Sequence, residues 1–174
     1  MKKFFHVMPA FFLILSTFLF VGSATPVAAK DSVSLEFGSM VGVPRPYTGA
    51  TNAIRGVPGG GLPWVIGFAQ GELKTNGRLE ITVRGLVIDP NDPAAITAGV
   101  AGKNPIASFK ALVSCLSKDA GGNPITVNVS TNPFMASATG NAKIEQTLSL
   151  PKPCIAPIVF VTSPGGAWFA STGF

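Results

Sequence analysis

Past residue 29 the sequence contains no histidine; the single one among 174 residues is His6. That absence removes the Ser-His-Asp and Cys-His arrangements that activate a hydroxyl or thiol nucleophile. It also removes the commonest transition-metal ligand. Any catalysis would have to rest on paired carboxylates or on a lysine or tyrosine base, and tyrosine occurs once, as Tyr47. Cysteine is nearly as scarce. Cys115 and Cys154 are the only two, so an exported chain has a single pairing open to it. The loop they close, of about 40 residues, contributes on the order of 4 kcal/mol on a chain-entropy argument. A reactive thiol would need an electropositive helix end or a nearby histidine, and the sequence offers neither. Phosphate-cradling loops are missing as well. "GVPGGG" (56–61) is glycine-rich, but it lacks the Gly-Lys-Ser/Thr ending and the following helix of such loops, and it predicts a flexible surface loop. No motif asks for a cofactor.

The N-terminus carries what the rest of the chain lacks, a long mainly apolar run. "MKK" is a short basic region, an apolar stretch follows, and "TPVAA" places Val27 and Ala29 three residues and one residue before Lys30. This pattern predicts a secretory signal peptide over 1–29 and an extracellular domain over 30–174. A membrane-spanning helix needs about 20 apolar residues, and the run from Phe11 to Ala24 is shorter and holds Ser16, Thr17 and Ser23. No membrane span is therefore expected after cleavage. Lys2 and Lys3 leave with the segment, so 11 basic residues face 8 acidic ones. Those basic residues are scattered singly rather than in a stripe, which argues against a nucleic-acid partner.

Alternation punctuated by Gly, Pro and Asn runs through the remaining chain, and no long amphipathic helical stretch interrupts it. Strands are expected over 33–37, in a hairpin within 64–88, and over 107–115, 125–129, 142–150 and 155–161. A last strand begins at "GAWF". The hairpin has two candidate registers. A three-residue loop, Thr75-Asn76-Gly77, pairs Leu73 with Leu79 and Ala69 with Val83, whereas a two-residue loop sets Leu73 against Glu80. The face that must be buried selects the first, and it places Glu72 beside Glu80 with Arg78 and Lys74 diagonal to them. Asp92 before Pro93 fits a helix N-cap, with Gly99 at the exit. Asp89, Asn91 and Asp92 supply the first oxygens of a calcium loop, but Asx turns and a cap explain them more simply. Seven or eight strands with one Cys115–Cys154 disulfide predict an all-β, antiparallel, immunoglobulin-like β-sandwich. An eight-stranded outer-membrane barrel is the minor alternative, and 13 prolines interrupting the mature chain weigh against it.

Two places invite a ligand. The Gly- and Pro-rich segment 43–63 carries Tyr47 and Arg55 and ends beside Trp64, residue types enriched at binding hot spots. Near the C-terminus Trp168 and Phe169 are adjacent, and neighbours on a strand point to opposite faces. The final hairpin is thus apolar on both sides, either exposing a patch or lying under a cover, for which 43–63 is the favoured segment. Tyr47, Arg55, Trp64 and Trp168 are accordingly the candidate binding residues. Glu72 and Glu80 are the candidate glycosidase pair, set against an ordinary solvated sheet face.

"GVPGGGLPWVIGFAQGEL", the "VSC" strand and "LPKPCIAPIVFVTSPGGAWFA" together resemble a family of small secreted bacterial β-sandwich proteins with no assigned activity. "GELKTNGRLEITVRGLV" is similar to the repeat pattern of CHRD domains, extracellular β-rich modules. The histidine-containing stretch of those domains has no counterpart here after His6. The resemblance implies a fold and an extracellular address. The function expected from the sequence is a non-catalytic role in cell-surface interaction or matrix structure, with a surface glycan or protein as partner. Its alternatives are a carbohydrate- or cell-wall-binding module stacking sugars on Trp64, Tyr47 and Trp168, and a carboxylate-based hydrolase.

Overall fold

The computed structural model describes residues 32–173; the signal-peptide reading lies outside the described residues. Twelve antiparallel strands arise among the described residues. Eight have four residues or more: β1 (Val33–Phe37), β4 (Phe68–Lys74), β5 (Arg78–Arg84), β7 (Ser108–Lys118), β8 (Pro124–Ser130), β10 (Ala142–Thr147), β11 (Ile155–Thr162) and β12 (Trp168–Ser171). The other four, β2 (Val41–Gly42), β3 (Trp64–Val65), β6 (Val87–Ile88) and β9 (Phe134–Met135), are two-residue pairings. Their brevity leaves no alternation to detect, so the expected seven or eight strands correspond to the long ones. One short helix, α1 (Pro93–Thr97), has Asp92 as its N-cap, the side chain accepting from the Ala95 N–H.

One large sheet has the order β1-β4-β5-β10 and the other β2-β12-β11-β7-β8, with β9 continuing beside β7, while β3 and β6 pair as a separate two-stranded sheet. The apolar faces of both contribute to one core, which includes Leu73, Leu79, Ile81 and Ile144 from the first and Phe109, Val113, Val159 and Val161 from the second. The sandwich is not strung as an immunoglobulin domain. There the second and third strands lie in opposite sheets, whereas here the short hairpin keeps β4 and β5 side by side. Among the described residues no helix is long and apolar enough to cross a membrane.

The hairpin takes the register that buries its apolar face. Leu73 opposes Leu79, Ala69 opposes Val83, and Glu72 opposes Glu80. Gly77, at φ 89°, fills the left-handed position of the three-residue loop. The expected diagonal ion pairs do not form. Lys74 instead reaches Glu72 at 3.2 Å, and Arg78 pairs with Glu80, each along its own strand. Residues two apart share a face, so a strand can satisfy its own charge without crossing the ladder.

Cys115 and Cys154 form the disulfide, with Cα atoms 4.9 Å apart. Opposite Cys115 the β7–β11 register slips between Ile155 and Ile158, and Ala156 adopts φ 45°. This is a bulge, two residues facing one. A second bulge lies between Val161 and Thr162 on the β12 side. Thr162 pairs with Trp168 and Val161 with Ala170, leaving Phe169 with no partner across β11.

Candidate functional site

That second bulge decides the fate of the adjacent aromatics. Trp168 stays on the outer face with Thr162 and Phe160, its ring 5.9 Å from the Phe160 ring. Phe169 turns inward, stacking on Trp64 at 3.9 Å with 19° between planes and meeting Phe109 edge-on. Both are buried, Trp168 completely. The inward aromatic is part of the sandwich core. The outward one lies under a cover, and that cover is segment 43–63.

The cover meets the edge of β12 through the main chain. Trp168 donates its N–H to Pro58 O and accepts from the Gly60 N–H, both at 2.8 Å, and Phe169 O accepts from the Val43 N–H. Gly59 lets the strap pack on itself, since a Cβ there would lie 1.9 Å from Tyr47 O. The expected flexible loop is thus a packed strap, and Gly59 and Gly60 in it serve close contact. A short 3-10 turn at Arg45–Tyr47 sets the Tyr47 ring 6.5 Å from Trp168.

Farther along, Ile54 and Val57 bond each other at both ends of a two-residue turn, and Val57 is buried. Its central residues, Arg55 and Gly56, have φ 49° and 78°. These angles define the mirror-image hairpin turn, in which a non-glycine first residue is strained. Three contacts hold Arg55 there. Its guanidinium donates to Ser114 O and Ala156 O, each at 2.9 Å, and its own carbonyl accepts from the Asn128 amide at 3.1 Å. The Ala156 bulge interrupts the regular ladder beside those carbonyls, and Arg55 serves as their donor.

The structure therefore packs the four candidate binding residues into the fold rather than along one open edge. Trp64 (5% exposed) and Trp168 (0%) are buried on opposite sides of β12. A sugar ring needs an open aromatic face, and these faces are occupied by Phe169, Phe160 and Tyr47. Arg55 is spent on main-chain oxygens, and Tyr47 is half-buried as part of the strap. Each has a structural task.

The loop at 89–92 resolves as turn and cap. Asp89 Oδ1 accepts from the Asn91 N–H, an Asx turn, while Asp92 Oδ1 accepts from Ala95 and Asp92 Oδ2 from Arg45 Nε and Nη2. The Arg45 bond, helped by the Ala95 N–H, holds the Asp92 carboxyl below its ordinary value. A carboxylate whose pKa is depressed on folding contributes stability above its unfolded value, about 3.9, and loses it as pH falls through the folded one. Asp92→Asn keeps a capping oxygen but loses the charge. It is expected to melt below the wild type at neutral pH, with the two melting temperatures converging once Asp92 is protonated; thermal melts across pH check this.

One recess among several on the described surface is on the outer face of the first sheet. Glu36, Gln70, Glu72, Glu80, Thr82 and Lys143 line a groove of about 590 Å³. Four glutamates cross this sheet in one row, because Glu36 pairs with Glu72, Glu72 with Glu80, and Glu80 with Glu145. Only the middle two are evident from the hairpin. Glu36 and Glu145 join through pairings that no tight turn fixes, so their register is not a local property of the sequence. Lys74, Arg78 and Lys143 form ion pairs with three of the four, Glu72, Glu80 and Glu145. Among the described residues no three His, Cys, Asp or Glu side chains converge as a metal site. Searches of protein-family models, of curated proteins and of solved structures find no match to this chain.

Proposed function

We propose that the protein acts outside the cytoplasm as a non-catalytic β-sandwich with an interaction or structural role. The observation that carries this reading is the commitment of the aromatic and arginine side chains around the strap to the fold. Both tryptophans, Arg55 and the Arg45–Asp92 pair hold the strap and the α1 loop in place. A disulfide built into the sandwich suits an oxidising compartment. The apolar leader at 1–29 agrees with that address.

A second reading, carbohydrate binding, gains support from the groove rather than from the tryptophans. Gln70, Thr82, Lys143 and the glutamates offer donors and acceptors suited to sugar hydroxyls, on rigid strands. The opposed Glu72 and Glu80 keep a hydrolase as a third. Incubation with polysaccharide and ester panels separates the three. The proposed reading expects no turnover and no binding sensitive to Gln70→Ala. Binding lost in Gln70→Ala would establish the second, and turnover lost in Glu72→Gln would establish the third.

A further inference from the structure

Every sheet in a sandwich must end somewhere, and an unpaired edge presents free N–H and C=O groups to any other chain. The described edges are treated differently. β1 carries Glu36 and a register irregularity, β2 has two residues, and β10 carries Lys143 and Glu145. These are the usual means of blunting an edge: charge, irregularity and brevity. β8 has none of them. Its seven residues, Pro124–Ser130, hold no charge, and the only proline is the first residue.

Which groups of β8 are free follows from its pairing with β7. The Thr131 N–H donates to Ala111 O, and the register continues Leu112 to Ser130 and Val113 to Val129. Bonded pairs alternate along an antiparallel ladder. Ile125, Val127 and Val129 therefore spend their main-chain groups on β7, and Thr126, Asn128 and Ser130 point theirs away. No main-chain hydrogen bond to another described segment takes up those outward groups. The same strand leaves apolar surface uncovered. Ile125, Val127 and Val129 are on the face that β7 turns to the core, with Cys115 and Val113 opposite, yet Ile125 is 38% exposed and the two valines are only half-buried.

We propose that β8 is an association edge whose occupant is β8 of a second copy, joined antiparallel about a two-fold axis at Val127. The strand is self-complementary in that register. Thr126 faces the partner's Asn128, Ile125 faces the partner's Val129, and Val127 faces itself, so polar meets polar and apolar meets apolar. The strand itself is uncharged, so no like charges face each other within the paired β8 strands. About six main-chain hydrogen bonds form, four between Thr126 and Asn128 and two from Ser130 to the carbonyl of Pro124. Pro124 falls where only an acceptor is needed. The second copy extends the six-stranded sheet and covers the half-exposed apolar row. This goes beyond the proposed function and does not depend on it.

Sedimentation velocity on the purified protein, from micromolar to sub-millimolar concentration, tests the association. A concentration-dependent dimer is expected. Thr126→Pro deletes an N–H that faces solvent in the monomer, so it should leave the melting temperature unchanged while weakening the dimer about tenfold. Ile125→Lys installs an edge lysine and acts as an independent second variant should the proline disturb folding. Register is read by mixing Thr126→Cys with Asn128→Cys protein under oxidising conditions. The mixture should yield a disulfide-linked heterodimer, with less self-linking by either variant alone. A monomer throughout the range would overturn the proposal. So would a dimer indifferent to both edge variants, or one in which Thr126→Cys links preferentially to itself.

Discussion

Trp168→Ala is expected to destabilise the protein by about 3–5 kcal/mol, the range for removing a fully buried aromatic side chain. Domains of this size carry about 5–15 kcal/mol in all, so a melting temperature lower by roughly 10 °C should be visible by circular dichroism. The expectation rests on what surrounds the ring. Phe160 is beside it on the sheet, and Tyr47 closes over it from the strap. The strap's hydrogen bonds to residue 168 use the main chain and survive the substitution, so the ring leaves a cavity rather than releasing the cover. Trp168→Phe fills part of that cavity and should lose less. A surface platform would behave otherwise, since substitutions at exposed positions usually stay within about 0.5 kcal/mol. Unchanged melting would therefore return Trp168 to the list of ligand contacts.

What the sequence discloses here divides along a physical line. The β4–β5 register is legible because only one pairing sends Leu73 and Leu79 to the same side, and the intervening loop is three residues long. The Asp92 cap is legible because proline at the next position and the aspartate oxygen act within one turn. A cover over the last hairpin is legible too, since a strand apolar on both faces must be shielded twice. The bulges at Ala156 and Phe169 are not. Each is an accommodation between a strand and its neighbour, and the register slip is invisible until both are paired. The packing of Tyr47, Arg55, Trp64 and Trp168 into the fold is hidden for a related reason. Residue types favoured at binding hot spots are those that pack well and donate in fixed directions, and the strap uses both properties internally. The glutamate row is hidden because two of its three pairings join strands distant in sequence.

Loss of the Cys115–Cys154 bridge is expected to lower stability by about 4 kcal/mol, and the structure says where that energy should reside. The two cysteines are 39 positions apart in sequence, but β7 and β11 are already neighbours by main-chain pairing on both sides of the bulge. The folded sandwich therefore needs little help from the bridge to stay assembled. Its effect is expected in the unfolded chain, which a cross-link keeps from expanding. The double variant Cys115→Ala with Cys154→Ala should accordingly unfold at lower denaturant and with a steeper dependence on denaturant, because its unfolded state exposes more surface. Alanine is preferred to serine, since Cys115 is fully buried and a hydroxyl there would need a partner. If stability falls while the denaturant dependence stays fixed, the bridge acts instead by holding the bulge, the carbonyl of Ala156 and the Arg55 clasp in their native geometry. The strap over Trp168 should then loosen in the same variant, and acrylamide would quench its fluorescence.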